Sequence, residues 1–233
     1  MDIQTIVQRA APKSVDDIVF ASDDDKGLVT DIVSGTMPFP AFGKNGVLLY
    51  GINGTGKSEL AKLLPDAMEA VKTGGQAFAR FERIQNGNNG GALIERLQGQ
   101  AQLVPFASHN YFVLDEVDNL TTLSMPSLKS LMNMPQSIFV MTTNHFSKIE
   151  LGVRNRCYCI AFNAAPAENW LPLARRMLTD AGILTVSDAT LLGVIATGKG
   201  SARDILNAIV QLILAVRRKR ACEVKAAPAP CVV

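Results

Sequence analysis

The chain has 233 residues, of which 48% are hydrophobic and 19% are charged, and its formal net charge is +2. This length and apolar content allow a sizeable globular core, whereas so small a net charge gives no argument for nucleic-acid binding by itself. The four cysteines form no Cys-x-x-Cys pair and only two histidines are present, a composition that argues against a zinc site.

Membrane spans and leader sequences find no support in the sequence. No apolar run reaches the roughly 18 residues that a transmembrane helix needs, and the longest candidate, residues 208–216, contains Gln211. The first twelve residues mix polar with apolar side chains. We therefore expect a soluble protein in a reducing, cytoplasmic compartment, without a membrane partner.

The first 45 residues carry one helical pattern. An acidic run at residues 23–25 is typical of a solvated face or of the first turn of a helix. Apolar side chains follow at helical spacing, and two prolines then break the helix before an apolar run begins. The residues concerned are Leu28, Ile32, Val33, Pro38 and Pro40.

Residues 46–64 carry the clearest motif. An apolar run at 46–50 is followed by glycines at 51, 54 and 56, by Lys57-Ser58, and then by a helical pattern. Glycines let backbone N–H groups turn inward around phosphate oxygens, Lys57 can reach the β- and γ-phosphates, and Ser58 can offer its hydroxyl to Mg²⁺. The pattern predicts a phosphate-binding loop with Lys57 as a catalytic residue and these nucleotide contacts: Gly51, Asn53, Gly54, Thr55, Gly56, Lys57, Ser58 and Glu59.

Strand and helix patterns alternate up to residue 162. Candidate strands lie at 76–82, 111–116 and 137–144, and the last two are continuous apolar runs with polar ends. Such strands are typical of a parallel sheet that helices cover on both faces. From residue 166 onward only helical patterns follow, and they predict helices at 167–181, 187–197 and 201–218. The predicted class is α/β, with a small all-helical domain after the sheet.

Two carboxylates end the strand at 111–116. Ligands of open α/β sheets bind at the carboxyl ends of the strands, so Asp115 and Glu116 are expected beside the phosphate loop. Asp115 is expected to hold Mg²⁺ together with Ser58, and Glu116 to orient and deprotonate the water that attacks the γ-phosphate. The predicted cofactors are ATP and Mg²⁺.

These motifs resemble those of AAA+ ATPases, and within them the clamp-loader ATPase subunits of DNA replication. The resemblance runs from about Pro12 to about Val216: residues 51–58 match Walker A, and Val113-Leu114-Asp115-Glu116 matches Walker B. Residues 12–19 look like the family's N-terminal segment, which lies against the adenine. The resemblance therefore implies that Ile18 and Val19 contact the nucleotide.

Three further site residues are implied by the resemblance. Thr142-Thr143-Asn144 falls at the family's sensor 1, which makes Asn144 a catalytic residue that helps to place the attacking water. Residues 153–157 are similar to the Ser-Arg-Cys motif, with an asparagine in place of the serine, which makes Arg156 a catalytic finger in a neighbouring subunit's site. Residues 200–203 look like sensor 2, with Arg203 as a nucleotide contact.

The resemblance implies four segments: an N-terminal segment packing on the nucleotide site (1–45), an AAA+ α/β ATPase domain (46–164), a helical lid (165–220) and a tail (221–233). Its Ala- and Pro-rich composition predicts that the tail is disordered. Clamp-loader subunits continue into a helical collar, so whether other chains supply one is left open.

The function implied is ATP hydrolysis at subunit interfaces of a homo- or hetero-oligomeric ring or spiral, used to load a sliding clamp or to remodel a replication complex on DNA. The partners implied are DNA and a replication clamp or another replication protein. Helicase loaders, transposition regulators and replicative helicases share the phosphate loop and the carboxylate pair. A non-enzymatic alternative is a scaffold that assembles on ATP and barely turns it over.

Two basic features lie outside the nucleotide-binding motifs. Residues 217–220 are four consecutive cations, which suit either a solvated helix C-terminus or a patch that contacts DNA phosphates. Arg154, two residues before the proposed finger, is interpreted as a surface residue.

Overall fold

The computed structural model describes residues 1–226, with side chains up to Ala221. The chain forms two compact units. One comprises residues 12–164 and is called the α/β unit; the other comprises residues 1–11 and those from Ala165 onward and is called the helical unit. No helix in the described residues is long and apolar enough to cross a membrane.

Nine helices and five strands follow one another in the described residues, joined in part by 3-10 turns at Val15–Asp17, Val117–Asn119 and Phe146–Lys148. In chain order the elements are α1 (Ile3–Ala10), α2 (Asp23–Ser34), β1 (Gly46–Tyr50), α3 (Lys57–Thr73), β2 (Ala79–Arg83), α4 (Gly91–Ala101), β3 (Asn110–Asp115), α5 (Met125–Leu131), β4 (Ser137–Thr143), α6 (Leu151–Arg154), β5 (Cys157–Ala161), α7 (Ala167–Asp180), α8 (Asp188–Thr197) and α9 (Ala202–Ala226).

The five strands form one parallel sheet in the order β2-β3-β4-β1-β5. Tyr50 at the end of β1 lies opposite Thr143 of β4, and Leu114 near the end of β3 lies opposite Met141. The carboxyl ends of β1, β3 and β4 therefore meet at one edge of the sheet, where α/β proteins bind their ligands.

Alternate side chains of the strands separate into two apolar layers, as the pleat of a strand requires. Leu48, Phe112 and Met141 pack on one face with α4 and α5, while Val47, Val113 and Val140 pack on the other with α2 and α3. Helices thus cover both faces, and the predicted α/β class with a parallel sheet is confirmed.

The helical unit brings α1 against α7, and α8 against α7 and α9. The segment predicted over residues 1–45 does not stay together, because α1 buries Ile6 and Ala10 and belongs to this unit. Arg217 donates to the carbonyl of Met1 at 2.7 Å and Arg220 to the carbonyl of Gly182 at 3.0 Å. Two of the four consecutive cations therefore serve packing within the unit.

Helix α9 is longer than the pattern indicated. It continues to Ala226, so the predicted tail is wrong for residues 221–226, while residues 227–233 lie outside the described part of the chain. Arg, Lys, Ala and Glu in this stretch are good helix formers and supply no stop signal. The basic run at 217–220 is consequently internal to α9 and does not lie at its C-terminus, whereas Arg218, Lys219 and Arg220 are exposed to solvent as that interpretation requires.

A buried carboxylate joins α3 to the segment before β3. Glu69 accepts hydrogen bonds from the backbone N–H and the hydroxyl of Ser108, from Tyr111 Oη at 2.8 Å and from Thr73 Oγ1 at 2.8 Å. Burial alone would raise the pKa of Glu69, but these donors favour the charged form and bring the pKa down to about 2. The carboxylate therefore stabilises the fold in its ionised state.

We expect Glu69→Gln to lower the free energy of unfolding by about 1–3 kcal/mol at neutral pH, because the amide cannot accept from all of these donors. The folded-state pKa lies below the ordinary value of 4.5, so the contribution of Glu69 is present above that value and is lost as pH falls towards 2. Denaturant titrations at neutral and acidic pH should show that the difference in unfolding free energy between wild type and variant becomes smaller as the pH falls. Glu95→Gln, on an exposed position of α4, is the control, and an equal loss in both variants would contradict the assignment.

Candidate active site

The loop between β1 and α3 needs glycine for steric reasons. Gly51 has φ +152°, and a Cβ there would lie 2.5 Å from the carbonyl oxygen of Phe162. Gly56, with φ +105°, comes immediately before the first residue of α3. The glycine loop therefore leads directly into the N-terminus of α3, and the free N–H groups of a helix N-terminus attract phosphate.

Lys57 is turned back over its own loop. Its ammonium group donates to the carbonyl of Gly51 at 3.0 Å and to that of Ile52 at 2.6 Å, and the residue is buried. Burial lowers the pKa of Lys57, an effect that the negative charge of Asp115 opposes. Two of its three N–H donors are in use, so the third and the charge are available to a ligand.

The other predicted loop residues differ in exposure. Thr55 is buried and donates from Oγ1 to the carbonyl of Ile52 at 3.1 Å, which stiffens the loop. Asn53 and Glu59 are exposed, and Glu59 pairs with Lys62 at 2.9 Å. The loop therefore presents backbone groups more than side chains.

Asp115 joins three elements at the edge of the sheet. Its Oδ1 accepts hydrogen bonds from Ser58 Oγ at the start of α3 and from Thr142 Oγ1 in β4, both at 2.6 Å. Ser58 and Asp115, the predicted magnesium ligands, are therefore in direct contact. A hydroxyl beside a carboxylate fits Mg²⁺, which prefers oxygen ligands and is bound through few protein groups together with phosphates.

Metal binding by side chains alone is not indicated. The described residues contain no group of three or more His, Cys, Asp and Glu side chains arranged to hold a metal ion. A magnesium ion at Ser58 and Asp115 would therefore complete its coordination with water and phosphate oxygens.

Glu116 has an unusual backbone conformation for a residue other than glycine. Its φ is +60° and its ψ is +50°, in the left-handed region, and its N–H donates to Thr142 Oγ1 at 3.0 Å. Such a conformation costs about 1–2 kcal/mol and persists where the surroundings hold it. The chain thus turns directly after Asp115, and the two adjacent carboxylates point in different directions.

The side chain of Glu116 is held by two donors. Arg83 at the end of β2 donates from Nη2 to Oε1 at 2.8 Å, and Asn119 donates from Nδ2 to Oε2 at 3.2 Å. Arg83 pairs in register with Asp115, which places it beside Glu116. With 60% of the Arg83 side chain exposed, the ion pair is a weak one that solvent can open.

Asn144 lies directly after β4 with a half-buried side chain. Its backbone N–H donates to Asp118 Oδ1 at 3.2 Å, and the same oxygen accepts from Thr143 Oγ1 at 2.8 Å. Asp118, in the 3-10 turn after β3, therefore fixes where the segment at Asn144 leaves the sheet.

The residues implied by the resemblance alone are more scattered. Arg156 donates from Nε to Asn133 Oδ1 at 3.0 Å and from Nη1 to the carbonyl of Gly152 at 2.9 Å. Ile18 packs on the apolar layer that includes residues of α3, and Val19 is half-buried. Arg203 belongs to the helical unit, where it is exposed in the first turn of α9.

Sequence reasoning missed Arg83, Asp118 and the role of Thr142. Arg83 lies one residue beyond the strand predicted at 76–82, which the structure has at Ala79–Arg83. Knowing that β2 lies beside β3 would have identified it, because the carboxyl ends of neighbouring parallel strands are adjacent. The strand order, not the local sequence, carries that information.

Known proteins resemble this chain over half of its length or more. Residues 47–163 match the family model described as "ATPase family associated with various cellular activities (AAA)". The replication factor C small subunit 2 of Pyrobaculum arsenaticum is 25% identical over 87% of this chain. The DNA polymerase III subunit gamma/tau of Mycoplasma pneumoniae is 23% identical over 90% of it.

The chain spans 61% of the first of these relatives and 32% of the second. Among solved structures, a RuvB variant of Thermotoga maritima superposes with a TM-score of 0.64 at 16% identity, over 90% of this chain and 65% of its own. That similarity concerns the fold alone. Since the family model covers half of the sequence, including the glycine loop and Asp115-Glu116, the chain belongs to the AAA family of ATPases.

Proposed function

We propose that the chain binds ATP with Mg²⁺ in the loop at 51–58 and hydrolyses it between subunits of an oligomer, in order to load a sliding clamp or remodel a replication complex on DNA. The observation that carries the proposal is the contact of both Ser58 and Thr142 with Asp115 Oδ1, beside a glycine-rich helix start. The names of the relatives support the link to replication.

Each residue has a distinct role in this proposal. The N–H groups of the loop and Lys57 bind the phosphates, while Ser58 and Asp115 hold Mg²⁺, which neutralises charge on the β- and γ-phosphates when bound. Glu116 orients and deprotonates the attacking water, and Asn144 helps to place that water. Because Arg83 and Asn119 occupy the Glu116 carboxylate, this step requires the Arg83 pair to open.

The remaining groups complete the site from elsewhere. Ile18 and Val19 contact the base, Arg203 reaches the nucleotide from the helical unit, and Arg156 enters the site of a neighbouring subunit. A guanidinium suits the last two roles, because it stays charged and can grip two phosphate oxygens. The two acceptors that Arg156 now uses, Asn133 and Gly152, must be exchanged for phosphate.

A second candidate is an ATP-dependent scaffold with little turnover. The engaged carboxylate of Glu116 favours it, since a general base that is held by Arg83 is kept from its water. Steady-state hydrolysis with and without primed DNA separates the two functions. An ATPase should hydrolyse ATP at a rate that changes when DNA is added. A scaffold should assemble when ATP binds but show little hydrolysis with or without DNA.

Glu116→Gln should leave ATP binding intact and lower turnover by roughly 10²–10⁴-fold, because the amide cannot accept the proton of the attacking water. Lys57→Ala should instead weaken binding itself. Nucleotide affinity and phosphate release are measured for both variants. Near-normal hydrolysis by Glu116→Gln would remove Glu116 from this role.

Arg83→Met should raise hydrolysis in the absence of DNA by about two- to fivefold, since an exposed ion pair contributes up to ~1 kcal/mol and its loss frees Glu116. Arg96→Met is the matched control, because Arg96 forms a similar ion pair at 2.6 Å with Glu82 of the same strand β2. Unchanged or reduced turnover in Arg83→Met would show that the pair does not restrain the base.

Mixing two inactive variants tests whether the site is shared. Arg156→Ala subunits should bind ATP and hydrolyse it poorly, since an arginine finger is worth on the order of 10³–10⁵ in rate. Combined with Glu116→Gln subunits, they should regain activity at interfaces that pair an intact Glu116 with an intact Arg156. If proven mixed assemblies stay inactive in every ratio, the site is not completed in trans.

A further inference from the structure

A cavity of about 480 Å³ opens beside the edge strand β5, within the α/β unit. None of its lining residues belongs to the loop at 51–58 or to the Asp115-Glu116 pair. Two cations, Lys44 and Arg154, line it, and no carboxylate does. The volume falls in the range of small-molecule sites, about 300–1,000 Å³.

The guanidinium of Arg154 finds no hydrogen-bond acceptor in the part of the chain that the structure describes. It lies over the ring of Phe146, 5.0 Å from the centroid, and its Nε is buried without a hydrogen-bond partner. Within the described residues this guanidinium takes part in no hydrogen bond and no ion pair. Leaving a buried donor unsatisfied is costly, and a planar fork of donors is matched by two oxygens of one anion.

The other arginines of the α/β unit differ in this respect. Arg83 and Arg96 pair with glutamates, Arg80 donates to Asn110 Oδ1 at 3.1 Å, and Arg156 donates to two oxygens. Arg154 therefore differs from the plain surface residue that the sequence indicates, because it is half-buried against the ring of Phe146 and its Nε is buried.

Lys44 adds a second charge to the cavity. Its ammonium group donates to the carbonyls of Asn155 at 3.1 Å and Cys157 at 2.7 Å, and lies 5.3 Å from the ring centroid of Tyr158. Carbonyl oxygens orient the ammonium group without cancelling its charge, and one of its three N–H donors remains. The cavity therefore holds two fixed positive charges.

We propose that this cavity binds a phosphate group, carried either by a free nucleotide or by DNA. A phosphate monoester carries about −1.5 to −2 charges and three acceptor oxygens, which matches one guanidinium and one ammonium better than a carboxylate does. Arg154 grips two of the oxygens and Lys44 contacts the third. The site is separate from the ATP-binding loop and does not depend on its activity.

The test uses the full chain with Lys57→Ala, so that binding in the loop at 51–58 does not mask the cavity. Inorganic phosphate, AMP and a short 5′-phosphorylated single strand are titrated calorimetrically. Saturable binding should weaken at least about tenfold in Arg154→Met, which keeps an apolar stem over Phe146 but removes the charge. Arg154→Lys should recover part of the affinity, and Arg96→Met should bind as the parent does.

The three probes identify the source of the phosphate. Binding of AMP and inorganic phosphate, but not of the oligonucleotide, assigns the cavity to free nucleotides. Loss of oligonucleotide affinity in Arg154→Met, with a salt slope reduced by about one, assigns it to DNA. The proposal is overturned if none of the probes binds, or if Arg154→Met and Arg154→Lys, both shown to be folded by their thermal unfolding, bind as tightly as the parent.

Discussion

The carboxylate of Asp115 is the contact on which the candidate site depends. By accepting from Ser58 and Thr142 through one oxygen, it ties the start of α3, the end of β3 and the end of β4 into one unit. These hydroxyls meet only because β1, β3 and β4 are parallel and in register, so that their carboxyl ends coincide. The chemistry at this edge is thus a consequence of the apolar packing that sets the register.

Around this buried contact the site combines firm and easily opened interactions. Asp115 is almost fully buried, whereas the pair between Arg83 and Glu116 is largely exposed. Buried charge-assisted hydrogen bonds resist exchange, while exposed ion pairs contribute little and open readily. In the proposed function this division suits the two tasks, a metal bound steadily at Asp115 and a general base, Glu116, that is released when needed. The left-handed turn at Glu116 separates the two parts.

The sequence was sufficient for the sheet and for the loop because both depend on short-range rules. Continuous apolar strands with polar ends and a glycine pattern before a helix leave few alternatives. The ion pair of Arg83 with Glu116 could not be predicted from the local sequence, because it depends on β2 lying beside β3 in the sheet. Helix α1 has a local signal, since Asp2 caps its start and Ile3, Ile6, Val7 and Ala10 follow at helical spacing. That pattern does not show that α1 packs in a helical unit formed by residues more than 150 positions away. The predicted helix is shorter than α9 because it was ended where the apolar pattern ends, at Arg218, although no stop signal follows that residue.

The arginines of the α/β unit show how partners, rather than motif position, indicate what a charge is for. Arg154 and Arg156 are two residues apart, and the family resemblance draws attention to the second. In the folded chain Arg156 already has two acceptors, while Arg154 rests on Phe146 with its Nε unsatisfied. A buried N–H that has lost water without gaining an acceptor raises the energy of the folded state, and an anion in the proposed site would supply that acceptor to Nε. The sequence selects Arg156 because of its position in a motif. The structure shows instead that, among the described residues of the α/β unit, Arg154 is the arginine whose Nε lacks an acceptor.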